Sequence, residues 1–152
     1  MCIRDRIIDR LYRASQAGVE VRLIVRGACC LRPSVEGMSE RIRAISIVDK
    51  YLEHARLFIF CNDGDERTYI GSADWMSRNL DRRVEVCTPI LDRQIQRLLR
   101  KVFAIQWSDN VKARDLADQA DNPHLKPAPG QCPVRSQTAL YDYYKEQSEK
   151  EK

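Results

Sequence analysis

A helical pattern that runs directly into a strand pattern constrains most strongly what this chain can fold into. From Ile7 to Ala17 the apolar residues recur at helical spacing, and Gly18 then ends the pattern, because glycine enters the left-handed region without a steric penalty. In residues 19–25, apolar and other side chains first alternate, and the last three residues are all apolar. This pattern predicts a mostly buried strand. A helix joined to a buried strand is the repeating unit of α/β domains, so the sequence predicts an α/β fold.

The rest of the chain predicts further strands and helices. Short apolar runs bounded by turn residues predict strands over residues 42–46, 57–61 and 84–87, the last closed by Pro89. Helical spacing predicts helices over residues 47–52, residues 92–106 with Asp92 as N-cap, and residues 136–144. Polar composition predicts a connection after Trp75 up to Arg83. Four prolines and a glycine predict an extended loop over residues 122–133, and the charged residues 145–152 are expected to form a frayed tail.

A hairpin turn is predicted by the Asn-Asp-Gly-Asp run at residues 62–65, which separates two strand patterns. If the Asp-Gly pair forms the centre of a type I′ turn, the register places Arg56 opposite Gly71 and His54 opposite Ala73. A bulge would shift the shared face by one residue, but it would leave the two segments adjacent. We therefore expect His54 to lie beside the segment that contains Ala73.

Composition narrows the class of protein. The chain has 152 residues, of which 43% are hydrophobic and 32% are charged. Its mean hydropathy is −0.51, which excludes membrane-spanning and collagen-like chains. Only seven of the 26 basic residues are lysine; because a guanidinium matches phosphate oxygens two at a time, the arginine excess favours phosphate-bearing ligands. The formal net charge of +4 forms no basic run, so no specific nucleic-acid partner is predicted.

Three features converge on one candidate site: an arginine at a strand exit, a histidine at a strand start, and the segment Gly71-Ser72-Ala73-Asp74 across the hairpin from that histidine. Arg26 follows the first strand, and ligands of open α/β sheets bind beyond the carboxyl ends of strands. His54 precedes the strand at residues 57–61 and is the acid–base candidate, because imidazole exchanges a proton near neutral pH. Arginines that stabilise moving negative charge and an imidazole that handles a proton suit phosphoryl transfer. The alternative interpretation is a surface arginine that caps a strand and a structural histidine.

A metal site is not predicted. The cysteines form no Cys-x-x-Cys pair, and only two histidines are present. The second histidine, His124, lies in the proline-rich stretch and is expected to be exposed.

Two resemblances are carried by these residues. The pattern His54-x-Arg56, followed by Gly71-Ser72-x-Asp74, is similar to the His-x-Lys and Gly-Ser-x-Asn pattern of the phospholipase D superfamily. More extensively, the chain resembles the final catalytic domain of bacterial long-form polyphosphate kinase. That resemblance is carried, in order, by LIVRG at 23–27, CLRP at 30–33, YLEH at 51–54, SADWM at 72–76, RNLDRRVE at 78–85 and NVKAR at 110–114.

The second resemblance implies a fold and an activity. The fold would be a single domain with a phospholipase D-like mixed sheet flanked by helices. The activity would be reversible, magnesium-dependent transfer of the terminal phosphate of ATP to polyphosphate through a phosphohistidine.

The resemblance also implies residue roles. By matching positions, His54 would be the second active-site histidine rather than the phosphorylated one, and Arg26 would bind the nucleotide phosphates. The resemblance further implies site lining by Arg56, Ser72 and Asp74, and a polyanion path along Arg32, Arg82 and Arg83. The alternative for these arginines is an ordinary surface or salt-bridge role.

Departures from the family pattern limit what the chain is expected to do alone. Ser34 stands where the family has glycine, and Ser77 stands where it has proline. The family's phosphorylated histidine, adenine-stacking tyrosine and magnesium-binding arginines belong to upstream segments that this sequence does not contain. We therefore expect an incomplete kinase from a truncated reading frame, with no Mg²⁺ ligands of its own.

The resemblance also sets the expected organisation and partners. Residues 1–6 are expected to be a non-native leader, residues 7–121 the phospholipase D-like domain, and residues 122–152 an extension of that domain. The expected partners are ATP or ADP, polyphosphate, the upstream domains of the enzyme and further copies of the full-length protein. A cytoplasmic location is expected, with peripheral attachment to the inner membrane left open.

Two other functions are compatible with the sequence. One is a phospholipase D-like phosphodiesterase in which two chains each supply His54, one as nucleophile and one as acid; Arg56 in place of lysine weighs against it. The other is a non-enzymatic module that uses its arginines to bind a polyanion without turnover.

Overall fold

Six strands in two sheets, flanked by four α-helices, make up the described part of the chain in this computed structural model. The structure describes residues 5–27, 29–117 and 121–150. The helices are Asp5–Gln16 (α1), Ser77–Arg82 (α2), Arg93–Trp107 (α3) and Ser136–Lys150 (α4). The strands are Val21–Ile24 (β1), Ile42–Ile47 (β2), Leu57–Phe60 (β3), Arg67–Gly71 (β4), Cys87–Ile90 (β5) and Ala113–Asp115 (β6). Residues 1–4 of the expected leader lie outside the described residues, and its last two residues form the start of α1.

The first sheet is mixed and has the order β1-β2-β6. β1 runs parallel to β2, whereas β6 runs antiparallel to it. The central strand is buried on both faces: Ile42 packs with Ile8 of α1 on one side, and Ile45 and Ile47 pack near Trp107 of α3 on the other. The α/β class and the mixed sheet flanked by helices are thus confirmed.

The second sheet is an antiparallel meander with the order β3-β4-β5. The turn between β3 and β4 places both Asp63 and Gly64 at positive φ, as a type I′ turn requires. The backbone N–H of Gly71 donates to the carbonyl of Arg56 at 2.9 Å, and Leu57 lies opposite Ile70. The predicted hairpin register is therefore confirmed.

The predicted helix over residues 47–52 is wrong. Ile47 is the last residue of β2, and the segment after it is irregular, with a bend at Lys50 and Tyr51. Tyr51 and Leu52 are 64% and 76% exposed, so a helix here would have no partner for its apolar face. The segment is fixed by one side chain of α4 instead, because the backbone N–H of Tyr51 donates to Gln137 at 3.0 Å and its carbonyl accepts from Gln137 at 2.8 Å.

Three boundaries differ from the predictions. The strand predicted at residues 84–87 begins at Cys87, because Val84 is fully exposed, and Pro89 lies inside the strand, where an edge position tolerates it. The predicted polar connection contains α2. The expected frayed tail continues α4 through Lys150, since its Lys, Glu and Gln residues are good helix formers.

The strand over residues 19–25 is shorter and less buried than predicted. β1 covers four residues, and three of its side chains are half-buried rather than buried. One edge of β1 pairs with β2, and its other edge faces a cleft between the two sheets. This cleft, referred to below as the inter-sheet cleft, contains the candidate site.

Candidate cationic site in the inter-sheet cleft

The inter-sheet cleft has a volume of about 490 Å³. Its walls come from β1 and the residues that follow it, from the segment that leads into β3, from the end of β4 and from α3. Four polar side chains named in the sequence analysis line it: Arg26, His54, Arg56 and Asp74. The carboxyl end of β1 and the two ends of the hairpin bring these residues together, because β3 begins and β4 ends at the same side of the cleft.

Arg26 connects the first sheet to the segment that carries the histidine. Its side chain is half-buried, and Nη1 donates to the backbone carbonyl of Glu53. The guanidinium is thereby held next to the backbone of His54, the following residue. Arg26 and His54 thus face one space although 28 positions separate them in sequence.

Arg56 joins His54 to Asp74. Its Nη1 lies 2.9 Å from Nδ1 of His54, and its Nη2 lies 3.2 Å from Nε2 of the same ring. On the other side, Nε and Nη2 donate to Oδ1 of Asp74 at 3.1 and 3.0 Å. A neutral imidazole has one acceptor nitrogen, so only one of the two ring contacts is a hydrogen bond at a time. The side chains of Arg56 and Asp74 are 16% and 15% exposed, which makes this a largely sheltered charge pair.

The cluster suits an anionic ligand. Three guanidinium groups, those of Arg22, Arg26 and Arg56, and an imidazole line the cleft. Glu20 forms an ion pair with Arg22, and Asp74 forms one with Arg56. Within the described part of the chain, Arg26 forms no ion pair, and its hydrogen bond goes to the backbone carbonyl of Glu53. Phosphate oxygens are the acceptors that a guanidinium fork matches best.

Glu53 is a central residue of the site that the sequence reasoning missed. Its backbone carbonyl accepts from Arg26, and its carboxylate accepts from Gln106 of α3 at 3.3 Å and from Gln137 of α4 at 3.0 Å. The residue before His54 is therefore held from three directions. No local signal could have revealed this, because its partners lie 27, 53 and 84 positions away.

Ser72 does not line the cleft. Its hydroxyl donates to the carboxylate of Glu85 and accepts from the N–H of Val86 at 3.0 Å. Asn79 donates to the other oxygen of Glu85 at 2.8 Å. The hydrogen bonds from Ser72 and then Asn79 hold the pKa of Glu85 below its ordinary value. Ser72 thus fastens the segment after α2 to the end of β4.

The remaining predicted site residues lie outside the cleft lining. Arg32, Arg82 and Arg83 are exposed. Arg82 ends α2 and Arg83 follows it, on the side where Ser72 meets Glu85. Their role in a polyanion path stays a prediction.

Trp75 is a packing residue. Its ring stacks on Phe58 with centroids 5.2 Å apart, and it joins the apolar cluster around Ile8. Trp75 forms one wall of the cleft, next to Asp74.

The described residues bring no three His, Cys, Asp or Glu side chains together in a way that could hold a metal ion. The carboxylates near the cleft are engaged by Arg56, Gln106 and Gln137. The described helices also include none that is long and apolar enough to cross a membrane.

The fold and the site define an α/β domain with a cationic cleft at the carboxyl end of a strand. The family model for polyphosphate kinase C-terminal domain 2 matches residues 2–137, and the chain belongs to this family. Polyphosphate kinase from Escherichia coli O6:H1 is 51% identical over 94% of this chain and 21% of its own length. The Escherichia coli K12 polyphosphate kinase is 50% identical over 91% of the chain and 20% of its length.

A solved structure extends this similarity to three dimensions. The crystal structure of polyphosphate kinase from Porphyromonas gingivalis matches with a TM-score of 0.91 at 44% identity, over 97% of this chain and 22% of that chain. The chain therefore spans about a fifth of the length of these relatives.

Proposed function

We propose that this chain is the C-terminal catalytic domain of a polyphosphate kinase, which transfers the terminal phosphate of ATP reversibly to polyphosphate. One observation carries the proposal: Arg26, His54 and Arg56 line one cleft in a chain that belongs to this family. Since the chain spans about a fifth of its relatives, we expect it to be inactive without the rest of the enzyme.

The proposed roles are those that the family resemblance implies, and the geometry of the cleft supports them. In the reaction, the bond between the terminal phosphorus of ATP and its bridging oxygen breaks, ADP leaves, and the phosphoryl group ends on an oxygen of the polyphosphate chain. Arg26, which forms no ion pair with any described residue, would bind the nucleotide phosphates. His54 would donate a hydrogen bond or a proton to the leaving nucleotide oxygen, with its ring oriented by Arg56.

The cofactor and partners belong to the same proposal. Mg²⁺ would be held by ligands outside this chain, as the family resemblance implies. ATP or ADP and polyphosphate would be the substrates, and the remaining domains of the enzyme and further copies of it would be the protein partners. We propose a cytoplasmic location, where ATP is available.

The test uses a chimera in which this chain replaces the matching segment of the Escherichia coli K12 polyphosphate kinase. With labelled ATP, we expect the chimera to make polyphosphate and the chain alone to make none. His54→Ala should lower turnover by about 10² to 10⁴-fold, the usual contribution of a positioned acid or base. Arg26→Ala should raise the KM for ATP about tenfold, as the loss of a charge-assisted bond implies.

The second histidine provides the matched control. His124 is exposed and lies outside the cleft, so His124→Ala should leave turnover unchanged. Equal effects of the two histidine substitutions would contradict the proposal. Hydrolysis of a phosphodiester by the chain alone would favour the phosphodiesterase, and polyanion binding that survives His54→Ala without any turnover would favour the binding module.

A further inference from the structure

We propose that Asp74 is a positioning residue, which acts on His54 through Arg56, and that the donors of Arg56 serve partners within the protein instead of substrate phosphates. This inference rests on the proposed function and deepens it, because it concerns how the same cleft holds its histidine. It gives Arg56 and Asp74 a role that differs from direct contact with the substrate.

The N–H groups of the Arg56 guanidinium are all directed at groups within the chain. A guanidinium has five N–H donors in a fixed fork, and five contacts within hydrogen-bond distance surround this one. Nε and Nη2 donate to Oδ1 of Asp74, and Nη1 donates to the backbone carbonyl of His54 at 3.0 Å. The other contacts are those to the two ring nitrogens of His54. Since a neutral imidazole accepts at one nitrogen, at most one N–H group stays without an acceptor, and that group faces the ring. The two-pronged contact of a guanidinium with a phosphate is therefore not open to Arg56.

Arg26 lines the same cleft but is placed differently. Among the described residues, its guanidinium makes one hydrogen bond, from Nη1 to the backbone carbonyl of Glu53. Within that part of the chain, Nε and Nη2 stay available for two oxygens of a phosphate group. The two arginines thus have different tasks: Arg26 can bind the substrate as a fork, whereas Arg56 serves the histidine.

Asp74 holds Arg56 in the orientation that reaches the ring. The backbone N–H of Gly71 donates to the carbonyl of Arg56 at 2.9 Å, and Asp74 follows shortly after Gly71, so the hairpin brings the carboxylate to the guanidinium. The side chains of Arg56 and Asp74 are 16% and 15% exposed, which makes their attraction stronger than that of a solvated pair. Without the carboxylate, Nε and Nη2 would lose their acceptor, and the flexible arginine would turn toward another anion.

The place of the His54 ring depends on this contact. The residue is exposed, and within the described chain its ring nitrogens contact Arg56 alone. An exposed side chain without a partner occupies several rotamers, each of which places the ring differently. When Arg56 donates to one nitrogen, a neutral ring presents the N–H of its other nitrogen to the leaving oxygen of the nucleotide. Asp74 therefore influences the reaction without touching the substrate.

Steady-state kinetics of the Escherichia coli K12 chimera described above separates positioning from substrate binding. Asp74→Ala and Arg56→Ala should each lower kcat by about 10 to 100-fold and change the KM for ATP by no more than about twofold, because they displace a group and remove no phosphate contact. Asp74→Asn should recover most of the activity, since its amide oxygen still accepts from Arg56. Asp65→Ala is the control, because it breaks an exposed aspartate–arginine pair outside the cleft lining and should leave kcat unchanged. A KM increase in Arg56→Ala as large as that of Arg26→Ala would overturn the proposal by placing Arg56 on the substrate.

A double substitution tests whether Asp74 acts through His54. In a chimera that carries His54→Ala, Asp74→Ala should lower the remaining turnover by less than about twofold, because the group that it positions is gone. A loss of about 10 to 100-fold in both backgrounds would contradict the proposal. Arg56→Lys carries the same test if Asp74→Ala does not fold. Lysine keeps the charge beside Asp74 but lacks the fork that spans carboxylate and ring, so kcat should fall with His54 present and not with His54→Ala.

Nuclear magnetic resonance of the histidine rings provides a readout that does not involve catalysis. The chain has two histidines, so His124 is an internal control for His54. In the chain, the order parameter of the His54 ring should be that of a rigid group, about 0.85, and in Asp74→Ala it should fall below about 0.6 while that of His124 does not change. A His54 ring that is equally ordered in both proteins would overturn the positioning role. A chimera that makes no polyphosphate, or one that His54→Ala does not slow, would instead contradict the proposed kinase activity, and the ring measurement would still decide whether Asp74 positions His54.

Discussion

At the scale of single residues, the backbone at Ser34 departs from what its side chain prefers. Ser34 has a φ of 60°, in the left-handed region, where a residue with a Cβ is strained and glycine is not. Its N–H donates to the carbonyl of Ser39 at 2.9 Å, so the loop fixes this conformation. The family pattern has glycine at the same position, and the geometry gives a physical reason for that choice.

Ser34→Gly is therefore expected to stabilise the chain by about 0.5–1 kcal/mol. The gain comes from removing the steric strain of the Cβ, reduced by the loss of the hydroxyl contact to Ile42 at 3.3 Å. Denaturant unfolding of the isolated chain measures it. Ser34→Ala is the control, because it removes the hydroxyl but keeps the strain, and it should not stabilise; a gain as large as that of glycine would show that the strain is absent.

At the scale of elements, the sequence predicted what local patterns determine. α3 begins after Asp92, whose carboxylate accepts from the N–H groups of Gln94 and Ile95 at 2.7 and 3.0 Å, as the N-cap prediction requires. The hairpin register followed from a turn of four residues. The irregular segment at Tyr51 was not predictable in this way, because Gln137 fixes it from 86 positions away.

Local sequence patterns locate some residues of the candidate site and not others. Arg26 could be located because it follows a strand, and His54 because it precedes one across a predictable hairpin. Glu53 could not be assigned a role, since its partners come from elements far along the chain. Ser72 was placed in the site because the motif places it near His54, whereas Glu85 draws its side chain to the other side.

Asp109 connects two elements through its carboxylate. One oxygen accepts from the N–H groups of Val111, Lys112 and Ala113 at 3.0, 2.7 and 3.0 Å, which fixes the turn into β6. The other oxygen accepts from the N–H of Ser136 at 2.7 Å, at the start of α4. Burial acts to raise the pKa of Asp109, but the hydrogen bonds from Ser136, Lys112 and Ala113 outweigh it and hold the pKa below its ordinary value.

We expect Asp109→Asn to destabilise the chain by about 2–3 kcal/mol at pH 7, because its amide cannot accept from Ser136 while its oxygen serves the turn. The lowered pKa means that the folded chain favours the carboxylate. Its stabilisation is present above the ordinary pKa and is lost as the pH falls through the folded pKa, below about pH 4. The variant should therefore lose less stability than the original chain between about pH 5 and about pH 3.

Denaturant unfolding at these pH values measures both effects. Asp142→Asn is the control, because Asp142 is exposed on α4. Some acid sensitivity should remain in the Asp109 variant, since the hydrogen bond from Arg135 also lowers the pKa of Asp49. An identical pH dependence in the Asp109 variant and the original chain would show that this carboxylate does not govern the acid response.

At the scale of the whole molecule, separate parts of the fold meet beside His54. Arg26 reaches from the end of β1, Gln106 from α3 and Gln137 from α4, and all three bond to Glu53. A further clamp joins Arg135, before α4, to Asp49 through two bonds of 2.7 and 2.6 Å. The position of the histidine thus depends on elements that span most of the chain.

Glu53→Ala should consequently impair catalysis more than it impairs folding. In the Escherichia coli K12 chimera, we expect kcat to fall by about 10 to 100-fold, because a small displacement of a catalytic group has effects of this size, while the KM for ATP changes little. The bond from Arg26 goes to the backbone of Glu53 and survives the substitution.

Glu53→Gln should recover most of the activity, since its amide oxygen can still accept from Gln106 or Gln137. Glu146→Ala, at an exposed position of α4, is the control. The measurement is steady-state kinetics well below the melting temperature of each variant. A loss of activity that follows the melting temperature, or one that Glu53→Gln fails to recover, would mean that Glu53 only supports the fold.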